Sequence, residues 1–185
     1  MDDDYFLIHK MKKGDNNSLE VFVRKHYQEI LKYCYRNLGG SNLAEDITQE
    51  TFIRFFNNLN RYEHYGKASN YLYTIAGNLC KNQFKSKAVI AYEEGGQTSE
   101  VLDDDINSRI DMKNALMKLQ MEFREVIILH YFQDIKLKEI AEILGVGLPL
   151  IKYRLAKAKE KLRIILEEEE SYGSNKSKNR SLNEK

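Results

Sequence analysis

The sequence predicts an all-α protein: two small helical domains joined by an acidic flexible linker, the second carrying a helix-turn-helix. Three observations predict it. One proline and ten glycines in 185 residues favour long helices over the turn-dense pattern of a β-sandwich. Apolar residues recur at helical spacing along most of the chain. Between about 86 and 108 that period lapses and acids collect, which marks a boundary.

Each element has its own signal. Asp2 to Lys12 can form a short helix with Phe6, Leu7, Ile8 and Met11 apolar. Asn16, Asn17 and Ser18 interrupt it and offer an N-cap to the next helix. From Leu19 the period runs through Val21, Phe22, Ile30, Leu31, Cys34 and Leu38, and Gly39-Gly40 ends it. Ser41 or Asn42 caps a third helix reaching about Leu59. A polar, tyrosine-rich loop from Asn60 to Lys67 follows. Ser69 or Asn70 then opens a fourth helix through Leu72, Ile75, Ala76, Leu79 and Phe84. Beyond the acidic segment come helices over Ile110–Leu119 and Phe123–Phe132, then the helix-turn-helix. The domains are thus expected at 1–88 and 108–170, with a linker over 89–107 and a disordered tail over 171–185.

The net charge is +1, so no global field draws the chain to nucleic acid. The average hides segregation. The charged residues between Tyr71 and Ile90 are Lys81, Lys85 and Lys87, and the last helix pair is also basic. The linker holds Glu93, Glu94, Glu100, Asp103, Asp104 and Asp105. An acidic tether between basic surfaces can fold back and mask them, or serve as a solvated spacer; both readings stand. No run is long enough for a transmembrane helix, and the acidic N-terminus lacks the basic start of a signal peptide. Cys34 and Cys80 fall inside helical patterns and read as reduced core thiols of a cytoplasmic protein.

The segment LKEIAEILGVGLPLIKYRLAKAKEKLR, Leu137 to Arg163, carries the strongest signal. Ala141 lets a second helix cross closely, Gly145 suits a left-handed C-cap, and Ile151 points back into the shared core. The second helix bears Lys152, Arg154, Lys157, Lys159, Lys161 and Arg163 against Glu160 alone. A cationic helix behind a tight turn is suited to a DNA major groove. Asp46, Gln49 and Glu50 share a face of the third helix, which by spacing alone is an ordinary solvated face. Tyr62, Tyr65, Tyr71 and Tyr73 lie among Asn58, Asn60, Asn70 and Asn78, followed by Lys81 and Lys85. Aromatics among amides and cations suit unstacked single-stranded bases, although Tyr73 reads better as core. The four histidines, His9, His26, His64 and His130, form no nucleophile–base or metal spacing, and no phosphate-binding glycine loop is present. No catalytic residue, metal site or cofactor is expected.

The ordered set of AEDITQETF, a polar loop, YLYTIAGNL, an acidic linker and a helix-turn-helix resembles bacterial RNA polymerase sigma factors of the sigma-70 superfamily. It is most similar in layout to the small two-domain extracytoplasmic function (ECF) group. The resemblance covers about Leu19 to Leu166. It implies a factor that binds core RNA polymerase, recognises promoter DNA and helps to melt it, without covalent chemistry of its own. Asp46, Gln49 and Glu50 match the helix that docks on the β′ clamp coiled coil. Asn58, Arg61, Tyr62, Tyr65, Asn70, Tyr71, Asn78, Lys81 and Lys85 match the part that captures the melted −10 element, flipping a base into a pocket. Lys152, Tyr153, Arg154 and Lys157, with Lys159 and Lys161, fall to the −35 element, by base-edge and phosphate contacts. The β flap is a further expected partner, with no residue assigned, and an anti-sigma protein is a candidate one.

The sequence departs from the family in places. Tyr71 stands where tryptophan is common, and Thr74 and Gly77 stand where arginine often is. The turn reads GVGLPLIKYR without the usual hydroxyl residue near the start of the recognition helix. Pro149 suits a first helical turn, and Leu150 cannot bond a phosphate. Two other readings remain at this point. A stand-alone helix-turn-helix regulator would need only the C-terminal pair, and a helical enzyme or metal bundle would need converging ligands.

Overall fold

The computed structural model describes residues 3–64, 66–94 and 107–182, with the backbone alone at 41, 85–94, 107–111 and 169–182. The described residues are helical, with no strand among them. Four helices form the first half: α1 (Asp3–Lys12), α2 (Asn16–Leu38), α3 (Ser41–Asn57) and α4 (Ala68–Glu94). The second half holds α5 (Asn107–Lys118), α6 (Met121–Ile127) with a π-helical turn over Ile128–Phe132, α7 (Leu137–Leu144) and α8 (Leu148–Leu182).

Local chemistry sets most of these bounds. Asp15, one residue before the expected break, caps α2: its carboxylate accepts from the Asn17 N–H at 3.1 Å and the Ser18 hydroxyl at 2.7 Å. Gly39 ends α2 with φ +74°, a conformation that a side chain would strain, and its N–H donates to the Tyr35 carbonyl. Gly145 ends α7 in the same way at φ +65°, as the helix-turn-helix spacing requires. Buried Thr48 and Thr51 satisfy their hydroxyls on the carbonyls of Ala44 and Ile47.

Two boundaries differ from expectation. The helix α4 continues to Glu94, through residues that composition gives to the linker, because no glycine or proline intervenes before Gly95-Gly96. Residues 95–106, the rest of the acidic segment, lie outside the described residues. At the other end α8 continues to Leu182, through most of the tail read as disordered; Gly173 is the one residue there of very low helix propensity.

The first half packs around Phe22, Ile30, Tyr33, Phe55 and Leu72, with the Phe22 and Phe55 rings stacked at 4.9 Å. The second packs around Val126, Ile128, Leu129, Ile140 and Ile151. Each such side chain contributes roughly 1.5–3 kcal/mol by leaving water. The halves do not stand apart: α2 packs on α5, α6 and the π-helical turn, and α4 packs on α7. Their cores join in one apolar cluster. Cys34 and Cys80 are free and buried within it, and the hydrogen bond shared between them, then burial, pushes the Cys80 thiol up.

Candidate protein and nucleic-acid interfaces

On α3, the buried residues Ala44, Ile47, Thr48, Thr51 and Phe55 point inward, which turns Asp46 and Gln49 to solvent. Glu50 is half-buried and bonds Arg54 one turn on, at 2.7 Å. Ile53 completes this face and is 52% exposed. An acidic, amide-bearing helix face around a bare isoleucine has the make-up of a protein-docking surface: an apolar anchor inside a polar rim. Spacing alone had suggested only solvation.

The loop after α3 is held from below. Asn58 donates its side-chain amide to the Arg54 carbonyl at 2.9 Å, and Lys12 donates to the Tyr62 carbonyl at 2.6 Å. These bonds place Tyr62 over Tyr71, with ring centroids 5.0 Å apart and planes 21° from parallel, and Phe55 lies beneath both. Both tyrosines are half-buried, and the Tyr62 hydroxyl pairs with His64 Nδ1 at 3.1 Å. Asn58, Arg61 and Asn78 are exposed and Asn70 is half-buried. Tyr65 lies outside the described residues, as does the Lys85 side chain. Tyr73 is core, as its spacing indicates, and burial raises its phenol pKa. This stacked pair beside amides is the kind of platform on which unstacked bases rest.

In the helix-turn-helix, Ile151, Leu155 and Ala158 bury one side of α8. Tyr153 stands opposite and is 56% exposed, Lys152 is exposed to one side, and half-buried Lys157 bonds Glu160 at 2.9 Å. The other basic residues do not share that face. Arg154 turns to α6 and pairs with Glu122 at 3.0 Å, and Lys161, seven residues on, sits 5.6 Å from the centre of the Phe123 ring. Lys159 borders an open apolar groove of about 610 Å³ between α8 and the π-helical turn, lined also by Met112, Ile127, Tyr131, Phe132 and Leu162. Tyr153 and Lys157 thus share the exposed face, with Lys152 and Lys159 along one flank and Arg154 and Lys161 along the other.

The seam between the halves was not anticipated. Glu125, 1% exposed on α6, bonds Lys81 of α4 at 3.1 Å and accepts from the Tyr33 hydroxyl at 3.4 Å. Burial raises this carboxyl above its usual range, against the pull of Lys81 and Tyr33. Its neighbour Arg124, also buried, donates to the carbonyls of Leu116, Met117 and Leu119 and crosses to that of Asn37. Burial pulls its guanidinium down to about 10, still a cation at neutral pH. Further bonds run from Tyr73 to Gln133 Oε1, from Thr74 to the Ile143 carbonyl and from Lys67 to Glu139. The acidic pair Glu122 and Glu125 flanking Arg124 is visible in the sequence, but nothing local there says that Glu125 faces inward. A second unanticipated pair, buried Asp4 and His26 at 3.1 Å, fastens α1 to α2 together with Lys25.

Among the described residues no three His, Cys, Asp or Glu side chains gather as a metal site, and no helix is long and apolar enough to cross a membrane.

Residues 22–89 match the family described as Sigma-70 region 2, and residues 109–162 match Sigma-70, region 4. The chain is 33% identical to the ECF RNA polymerase sigma factor SigW of Bacillus subtilis (strain 168), over 84% of this chain and 92% of that protein. It is 31% identical to RNA polymerase sigma factor YlaC of the same organism, over 83% and 93%. Its fold is similar to that of the sigma factor RpoE, solved in complex with the anti-sigma factor NepR from Bartonella quintana. There the TM-score is 0.71 at 21% identity, over 80% of this chain and 96% of that one. CnrH, solved in complex with the cytosolic domain of CnrY, gives a TM-score of 0.69 at 22% identity, over 90% and 98%. A stand-alone helix-turn-helix regulator leaves the region 2 match unexplained.

Proposed function

Because this chain belongs to the sigma-70 family of RNA polymerase sigma factors, in its ECF group, we propose an assignment of its partners to particular faces. As a sigma factor it joins core RNA polymerase, recognises promoter DNA and directs transcription initiation. Asp46, Gln49 and Glu50, around Ile53, dock on the β′ clamp. The Tyr62–Tyr71 platform, with Asn58, Arg61, Asn70, Asn78 and Lys81, receives the melted −10 strand, and Tyr65 and Lys85 join it by resemblance. Lys152, Tyr153 and Lys157 enter the −35 major groove, while Arg154, Lys159 and Lys161 serve its phosphates or edges from the flanks. The groove lined by Tyr131 and Phe132 is assigned to the β flap. The protein works in the cytoplasm, performs no covalent chemistry, and is open to restraint by an anti-sigma protein of the kind solved with RpoE.

The observation that carries this assignment is the exposed acidic face of α3 around Ile53 in a chain that also bears a helix-turn-helix. The test is reconstitution with core polymerase and run-off transcription from a target promoter. Failure to bind core enzyme overturns the docking assignment. Binding without promoter-dependent initiation overturns the DNA faces.

A further inference from the structure

We propose that Glu125 is an internal competitor for promoter phosphate: it occupies Lys81 when the two halves dock, so docking and −10 strand capture exclude one another. This rests on the assignment of Lys81 to the −10 strand made above.

Tyr73, Thr74, Gly77, Lys81 and Phe84 of α4 each meet the second half. Their spacing makes one continuous stripe on the helix. The stripe lies beside the half-buried Asn70 and Tyr71 and the exposed Asn78, so a strand following α4 would meet α6 and α7 at its edge. Lys81 is only 35% exposed, and its ammonium faces a carboxylate that water hardly reaches. A carboxylate held against a lysine presents the same chemistry as a phosphate oxygen: an anionic acceptor at hydrogen-bond distance.

Gly77 shows that the seat is built for this contact. A β-carbon there would lie 2.9 Å from the Tyr33 hydroxyl and 3.1 Å from Glu125 Oε1. The Tyr33 ring is fully buried and cannot swing aside, so glycine keeps the space in which the carboxylate sits.

The seam is also made to open. Buried Asn37 Oδ1 and Gln133 Nε2 have no hydrogen-bond partner within the protein, and both sit in residues that bond across the seam. Such orphaned groups, with a buried carboxylate, cost stability that a wholly apolar interface would keep. Separation returns all of them to water and frees Lys81, Thr74 and the face of α4 together.

The test uses the full-length free protein. Trace acetylation with acetic anhydride, read by mass spectrometry, compares Lys81 with exposed Lys32 on α2. The expected result is slow labelling of Lys81 in the wild type and labelling equal to Lys32 in Gly77→Ala, whose β-carbon takes the seat of the carboxylate. Anisotropy with a single-stranded oligo(dT) probe supplies the second arm. If the open form is about a tenth of the population, Gly77→Ala binds the probe about tenfold more tightly, and adding Lys81→Gln cancels the gain. Equal labelling of Lys81 and Lys32 in the wild type overturns the proposal by removing the docked pair, and needs no variant to fold. Protection of Lys81 with probe binding indifferent to both substitutions overturns it differently, because then Lys81 has no part in DNA binding.

Discussion

Arg124 Nη1 donates to the carbonyl of Asn37 at 2.6 Å, joining the turn after α5 to the C-terminal end of α2. The same guanidinium satisfies the carbonyls of Leu116, Met117 and Leu119, so one side chain closes its own domain and binds it to the other. Arg124→Ala leaves these acceptors without their donor in a buried place. A loss of about 3 kcal/mol or more is expected, read as a lower midpoint in urea unfolding. Arg124→Lys should recover only part of it, since one ammonium cannot span the fork of contacts. Full recovery by lysine would show that charge, not geometry, matters here.

The raised carboxyl of Glu125 gives stability a particular pH dependence. The groups facing it are Tyr33 of α2, Lys81 of α4 and Arg154 of α8, with burial as the largest influence. The folded protein keeps a proton on this carboxyl at pH values where the unfolded chain has lost it. Its contribution is therefore fully present below the ordinary carboxylate pKa and is lost as pH rises through the raised value. The difference in unfolding midpoint between wild type and Glu125→Gln should change across that window and level off above it. A difference that stayed constant with pH would mean that the carboxyl titrates normally.

Asp4 has the opposite sign. Burial opposes its ionisation, but the hydrogen bonds and charges of Lys25 and His26 outweigh that and hold its carboxyl below the usual range. The stability it confers is present above the unfolded pKa and is lost as pH falls through the depressed one. Asp4→Asn should cost about 1–3 kcal/mol at neutral pH, because buried His26 and exposed Lys25 lose a charged acceptor. The cost should vanish in acid. Hydrogen exchange of the α1 amides would register it as faster opening of that helix alone.

The parts of the fold that local chemistry dictates were legible in the sequence. The turn at Gly145, the buried Ile151 and the end of α2 at Gly39 follow from one residue's conformational range or one helix's period. The seam was not legible, because it depends on which face of α6 meets which face of α4, and neither helix encodes that alone. In sequence Gly77 and Thr74 stand out only as departures, at places where the family often has arginine. In the structure each has a use: Gly77 makes room for Glu125, and Thr74 bonds the Ile143 carbonyl. Ile53 was legible but missed: it lies seven residues after Asp46 and four after Gln49, on their face of the helix, although beside Phe52 it reads as core.

That exposed isoleucine gives a clean test of the proposed polymerase face. Ile53→Ala removes apolar surface that contributes nothing to the core, so the unfolding midpoint should hardly move. Core binding should weaken by about 1–2 kcal/mol, roughly tenfold, if Ile53 is an anchor. Asp46→Lys should weaken it as well, by reversing a charge on the same face. Titration of labelled protein with core enzyme measures both, and unchanged affinity in both variants would move the docking surface elsewhere.

Of the basic residues on α8, the exposed ones and the seated ones should behave differently on duplex DNA. Lys152→Ala removes a charge from the solvent-facing side of the first turns. It should lower affinity on every promoter alike and reduce the slope of log K against log salt by about 0.9. Arg154 begins paired with Glu122 at 3.0 Å and must leave that partner to touch a base. Glu122→Gln releases it, so binding should tighten where the promoter offers an acceptor such as guanine, and change little where it does not. Arg154→Ala should remove that selectivity and the effect of Glu122→Gln together. If the two substitutions instead act additively across unrelated promoters, Arg154 contacts phosphate rather than bases, and the discrimination on this helix rests with Tyr153.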